Sequence, residues 1–198
     1  MNKEKKNRPN PRRDVIIAKA AMLFRKNGYV ATSMRDLAEE VGVEAASLYN
    51  HISSKSEILQ DICFRVANKF MLNIDEVSAR PISALEKVEL ILRFHIREMI
   101  NNYEEVNVSD REWRHLPEPY LLNFQNQRKI YRQKFASLIE EGIRSGEINE
   151  IDAPTAVIIM LHAVSGIESW HRSVKKIDAD QLEKNMVMIL IHGLKKNS

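Results

Sequence analysis

The sequence predicts an all-α protein, a short three-helix unit at the N-terminus followed by a longer helical bundle. Three observations carry this reading. No window alternates apolar and polar residues with the period of two that a half-buried strand needs. Segment after segment instead repeats apolar residues at helical spacing, with serine, aspartate or proline at its head and glycine at its foot. Residues 32–55 place a capped short helix, a one-glycine turn and a second short helix in immediate succession, the pattern of a helix-turn-helix.

The elements follow in order. Residues 1–10 are polar and basic and read as a flexible leader. A first helix is expected over 11–27, with Ala18, Ala21, Met22 and Phe24 as its apolar stripe and Gly28 as its stop. Ser33 caps a second helix, with Asp36 at the capping-box position, and Gly42 turns the chain after Val41. A third helix is expected over 44–51. Ser53 or Ser54 caps a fourth, running to about 77, whose Ile58, Leu59, Ile62 and Phe70 repeat at helical spacing. Pro81 is read as opening a fifth helix to Asn101, with Leu85, Val88, Leu92 and Ile96 inside. Ser109 is read as capping a short helix that Pro117 and Pro119 end or redirect. A long helix follows over 120–144, ended by Ser145–Gly146. Asp152 with Pro154 starts a helix to about Ser173, and Asp178 or Asp180 starts a last one to about Leu194.

Composition narrows the function classes. The chain has 198 residues and one cysteine, Cys63, which excludes an internal disulfide and reads as a buried thiol. No apolar run approaches the roughly 20 residues that span a bilayer, and the basic start has no apolar core of a signal peptide, so a cytoplasmic protein without membrane contact is expected. The net charge of +3 is unevenly placed: residues 1–60 hold 11 Lys and Arg against 7 Asp and Glu. That excess, with Lys3, Lys5, Lys6 and Arg8 in the leader, suits phosphate contact at one end of the molecule, although a solvated basic tail has the same composition.

The helix-turn-helix assigns roles to its residues. Thr32 and Ser33 stand at a helix N-terminus, where amides and hydroxyls bind phosphate. Ala45, Ala46 and Ser47 are small enough to bring the second helix against base edges. Tyr49 and His51 suit phosphate contacts, and Lys55 would neutralise another. Met34, Glu44 and Asn50 complete the expected DNA-binding set. Leu37, Ala38, Val41, Val43 and Leu48 are expected to face inward. A catalytic reading finds no support, since there is neither a Gly-x-Ser-x-Gly nor a Cys–His arrangement, so no enzyme and no cofactor are expected.

Thr-Ser-Met-Arg-Asp-Leu-Ala at 32–38, the Val-Gly-Val turn, Leu-Tyr-x-His at 48–51 and Lys55 together resemble the TetR/AcrR family of bacterial transcriptional regulators. Glu44 and Ile52 depart from it, standing where serine and phenylalanine are common. The resemblance implies a DNA-binding domain over 11–56 and a helical-bundle ligand-binding and dimerisation domain over 57–198. It also implies a homodimer that binds a palindromic double-stranded operator, most often as a repressor, and is released by a small molecule. Two apolar stripes, Ala156–Met160–Val164–Ile167 with Ile159 and Ala163, and Leu182–Met186–Leu190 with Ile189 and Gly193, would build the four-helix dimer interface.

The middle of the chain supplies a candidate pocket. Phe94, His95, Tyr103, Tyr120, Phe124 and Tyr131 are aromatic or polar candidates, joined by Trp113, His115, Phe135, Trp170 and His171. Residues 111–118 and 166–172 are similar to segments of family members that control fatty-acid, phenylacetate and steroid breakdown. That similarity implies an acyl-CoA thioester, with Arg93, Arg97, Arg128, Arg132 or Arg172 on its phosphates. A rival reading takes Glu112-x-x-His115 and Glu168-x-x-His171 as halves of a metal-sensing or di-iron site, completed by Glu89, Glu98, Glu140 or Glu141.

Overall fold

A computed structural model describes residues 11–174 and 177–192. The expected features at 1–10, Gly193 and Leu194 lie outside the described residues. The elements are α1 (Pro11–Asn27), α2 (Met34–Val41), α3 (Ala45–Tyr49), α4 (Lys55–Ser78), α5 (Ala84–Asn101), α6 (Tyr103–Arg111), a 3-10 turn at Trp113–His115, α7 (Tyr120–Ser145), α8 (Ala153–Ser165), α9 (Ile167–Arg172) and α10 (Ala179–His192). Among the described residues there is no strand, and no helix is long and apolar enough to cross a membrane.

Local chemistry fixes the starts and stops. The Ser33 hydroxyl accepts from the Asp36 amide at 3.1 Å while the Asp36 carboxylate accepts from the Ser33 amide at 2.7 Å, a closed capping box. Gly42 sits at φ 78°, the left-handed conformation that frees the chain for α3. Three boundaries differ from the sequence expectation. Ser83, not Pro81, opens α5, because Ser83 and Glu86 form a second capping box. Ser109 lies inside α6 and is buried, so it caps nothing. The helix begun by Asp152 breaks at Gly166, and Ile167–Arg172 follow as the separate short helix α9.

Two apolar cores meet along α4. Its first half puts Ile58, Leu59 and Ile62 into a core with Ile17 and Phe24 of α1, Leu37 of α2 and Leu48 of α3. Its second half puts Phe70, Ile74 and Val77 into a larger core with Val88, Ile96, Phe135, Ile139 and Met160. A 24-residue helix is about 36 Å long, enough to run from one core to the other. The N-terminal core also takes in Val108, Leu116 and Phe124 from beyond residue 100. An edge between residues 56 and 57 therefore falls inside one continuous helix. In α1 the buried stripe is Ile16, Ile17, Ala20, Ala21 and Phe24, whereas Ala18 and Met22 face outward.

Ion pairs fasten the two parts. Arg13 of α1 holds Glu57 at 2.6 Å and also Asp61, both on α4. Arg65 of α4 reaches back to Asp14 at 3.0 Å. Arg25 lies over the Tyr103 ring at 5.3 Å, tying α1 to α6.

Candidate nucleic-acid interface and ligand cavity

Helices α2 and α3 present a small outward surface. Leu48 is fully buried and locks α3 to the core, and that fixes which residues face out. Glu44, Ala45, Ala46, Tyr49 and Asn50 are exposed, and Ser47 and Met34 are half-buried. The Glu44 carboxylate makes no cap to its own helix. His51 lines a hollow of about 420 Å³ with Arg12, Val15 and Val43. Val43 is thereby 39% exposed rather than inside, because Gly42 has already turned the chain outward.

Two of the expected phosphate ligands are engaged within the protein. Thr32 is 1% exposed, and its hydroxyl donates to the Gly28 carbonyl at 2.9 Å. The Lys55 ammonium donates to the carbonyls of Tyr29, Val30 and Thr32 at 2.7, 3.3 and 2.7 Å. Lys55 thus binds the loop between α1 and α2, whose Tyr29, Val30 and Thr32 carbonyls converge on its ammonium. This role was invisible in the sequence, since the partners are 23 to 26 residues away.

A cavity of about 450 Å³ lies in the second part of the molecule. Five helices line it: Val66, Ala67 and Phe70 of α4; His95 and Met99 of α5; Val106, Ser109 and Asp110 of α6. Phe124, Gln127, Arg128, Tyr131 and Arg132 of α7 and Ile158, Leu161, His162, Val164 and Ser165 of α8 complete it. The size is that of a small-molecule site, with mostly apolar walls and a few convergent polar groups.

The polar groups fall into two sets. Asp110, Arg128, Arg132 and His162 are charged or titratable, and Arg128 is held at 2.9 Å by Asp110 while its cation lies over Phe124 at 5.8 Å. In the aromatic wall, His95 Nε2 and the Tyr131 hydroxyl are 2.6 Å apart, with the Phe70 ring 4.4 Å from the imidazole. Burial pushes the His95 pKa down to about 3, and burial also raises that of Tyr131, so both are neutral at physiological pH.

Of the expected ligand residues, the cavity brings together Phe124, Arg128 and Tyr131, with His95 and Arg132. The others stand elsewhere, each with a partner. Phe94 packs edge-on to Phe70. Arg97 and Arg93 hold the Glu183 carboxylate at 2.7 to 2.8 Å, joining α5 to α10. Tyr103 stacks on His171 at 4.1 Å, and His171 Nε2 meets the Met99 carbonyl. Trp113 packs against Phe124, His115 stacks on Tyr29 at 5.4 Å, and Tyr120 meets Phe64. Trp170 donates to the Ile177 carbonyl at 2.9 Å.

The Glu-x-x-His pairs do not converge. Glu112 faces His115 at 3.5 Å, but Glu168 is taken by Arg111 and Arg172. Among the described residues no group of three or more His, Cys, Asp or Glu side chains is placed to hold a metal ion. Sequence reasoning missed Val66, Ala67, Ile158 and Leu161, which look like any other helical stripe residues.

Comparison with known proteins agrees with this architecture. Residues 16–62 match the family model described as bacterial regulatory proteins, tetR family, and residues 81–194 match the tetracyclin repressor-like C-terminal domain. The chain is 21% identical over 188 residues to the HTH-type transcriptional repressor KstR2 of Mycolicibacterium smegmatis, covering 94% of this chain and 92% of that one. The structure of the ketosteroid transcriptional regulator KstR2 of Mycobacterium tuberculosis superposes with a TM-score of 0.88 at 20% identity, over 96% of this chain and 98% of that one. AibR in complex with isovaleryl coenzyme A and operator DNA gives 0.79 at 22% identity, over 91% and 98%.

Proposed function

Because the chain belongs to the TetR family of bacterial regulatory proteins, and is therefore a transcriptional regulator and not an enzyme, we propose that it is a repressor whose operator binding is released by an acyl-CoA thioester. Regulators of this family bind operator DNA, act as dimers and respond to small molecules.

The observation that carries the ligand reading is the cavity itself. Its apolar depth suits an acyl group, and about 450 Å³ holds that group but not the whole thioester. The pantetheine and nucleotide would lie outside, where Arg128 and Arg132 can meet phosphate. AibR, with isovaleryl coenzyme A and operator DNA in one structure, is a relative in which both kinds of partner occur.

On the DNA side, the exposed Ala45, Ala46, Tyr49 and Asn50, flanked by Ser33, Met34, Glu44 and Ser47, form the recognition surface. One such short helix reads few bases, so two copies on a palindrome are required. Helix α4 is the lever: Val66, Ala67 and Phe70 line the cavity, while Ile58 and Ile62 belong to the N-terminal core. A ligand that favours one setting of α4 shifts the spacing of the two recognition helices.

The test begins with a duplex selected by the purified protein from a random library. Release of that duplex is then followed as acetyl- to palmitoyl-CoA, and the matching free acids, are added. Selective release by a thioester, with a thermal shift that grows with its concentration, is expected. Release by none of them would remove the acyl-CoA reading and leave the DNA reading standing. An α4 orientation identical with and without the effective thioester would remove the lever.

A further inference from the structure

The geometry points to the His95–Tyr131 pair as a reader of one uncharged oxygen, a hydroxyl or keto group, carried within the apolar part of the ligand. The inference rests on the cavity being the effector site. Phe70 packs against both rings, and Met99, Val106, Phe124 and Leu161 make much of the remaining lining apolar, with Ser109 and Gln127 as its other uncharged polar side chains. A ligand that were purely hydrocarbon would not need a polar pair in such a wall, and an apolar filling of the same volume would serve it equally well.

Donor bookkeeping makes the pair fit for this task. The phenol carries one proton and the neutral imidazole carries one. Their mutual bond at 2.6 Å uses one of the two, in whichever direction it runs. One donor is left over, either the His95 Nδ1–H or the Tyr131 O–H. His95 and Tyr131 both line the cavity, so the leftover donor belongs to a residue of its wall in either case. Both groups are neutral, and the other charged or titratable side chains of the lining are Asp110, Arg128, Arg132 and His162, of which the two arginines are the ones offered to phosphate. The cavity's cations are Arg128, which Asp110 holds at 2.9 Å, and Arg132; the neutral pair itself supplies no charge, so a carboxylate placed against it gives up its hydration for a single hydrogen bond, and an uncharged oxygen is favoured. A hydroxyl or a keto oxygen accepts the leftover proton without that loss.

The size of the preference follows from the same geometry. Sites whose polar groups are left unpaired by the wrong ligand reject it by four or five orders of magnitude. Here the mutual bond already uses one of the two donors and only one is left unpaired when no oxygen arrives, so the penalty is smaller, on the order of ten- to a hundredfold.

The experiment compares decanoyl-CoA with thioesters bearing one hydroxyl or keto group at successive chain positions, and with the terminal dicarboxylic analogue. Binding to the full-length protein is read by calorimetry and by release of the selected duplex. At least one oxygenated member should bind tenfold or more above decanoyl-CoA, and the dicarboxylic analogue should not. Tyr131→Phe, and the double variant with His95→Leu, should abolish that preference, and retained binding of the selected duplex with a cooperative melting transition shows that they fold. Equal binding of all members, or a preference that survives in Tyr131→Phe, overturns this inference alone. Binding of no thioester overturns it together with the acyl-CoA reading.

Discussion

The ammonium of Lys55 lies 4.4 Å from the centre of the Tyr29 ring and donates to the Tyr29 carbonyl at 2.7 Å, clasping that residue from its face and its backbone. The same ammonium closes onto Val30 and Thr32. Hydrogen bonds of a charged donor contribute about 1.5–3 kcal/mol each, so this contact sets the loop that delivers α2. Lys55→Met should therefore lower stability by roughly 2–4 kcal/mol and weaken operator binding through misplacement of α2. A phosphate ligand would show itself differently: the slope of log affinity against log salt would fall by about 0.9. A lost slope with unchanged melting temperature would overturn the loop role.

His115 stacks on the Tyr29 ring at 5.4 Å and belongs to the same 3-10 turn as Trp113. The Arg128 cation, at the cavity, lies 5.6 Å from the Trp113 ring. A short chain of contacts thus runs from Arg128 through Trp113 and His115 to Tyr29 and Lys55. The hypothesis is that it helps α4 to carry the ligand signal. Trp113→Leu should keep operator affinity and thioester affinity within a few fold, yet reduce the ratio between bound and unbound operator affinities at least tenfold. Measuring all three quantities decides it, because an unchanged ratio removes the contact chain from the coupling.

Glu183 is buried, and Arg97 and Arg93 hold it in a fork. Burial works against its charged form, but hydrogen bonds from Arg97 and Arg93 outweigh that and keep the carboxyl below its ordinary range. A carboxyl with a depressed pKa adds stability that is present above its unfolded value and lost as pH falls through the folded one. Glu183→Leu should cost roughly 2 kcal/mol near neutrality, less than the 3–5 of a fully buried pair, because the arginines regain water. Melting curves should show the gap between wild type and variant closing as pH drops below about 4.3, and a gap constant down to pH 3 would refute the assignment.

Much of this was legible in the residues. Capping serines, Gly42, Gly146 and Asp152 with Pro154 announced their helices because each acts on its immediate neighbours. Pro81 misled because a proline fits a first turn anywhere, whereas Ser83 with Glu86 supplies the actual hydrogen bonds. Ser109 misled because a serine reads as a cap until its burial is known. The stripe of α1 shifted because Ala18 and Met22 are apolar yet face outward. The cavity was legible only in part: an aromatic such as Tyr103 or Trp170 looks the same in sequence whether it lines a void or packs on a neighbour. Lys55 illustrates the general reason, since its three carbonyl partners carry no side-chain signal at all.

The outer faces of α8 and α10 give the last prediction. Ile159 is 57% exposed and Ile189 is 69% exposed, with Ile158 and Met188 beside them at about half exposure. Their neighbours Ala156, Met160, Val164, Val187 and Ile191 are buried within the chain, so each helix uses one face at home and leaves an apolar one outside. Burying a single isoleucine is worth roughly 1.5–3 kcal/mol, and two-fold symmetry counts every contact twice. Ile159→Glu with Ile189→Glu would place four carboxylates in that interface. Because both positions are exposed in the single chain, helical content should stay unchanged. Light scattering should show a monomer at micromolar concentration, and binding to the selected palindromic duplex should fall at least a hundredfold. A variant that stays dimeric and retains operator affinity would move the dimer interface to another face of the molecule.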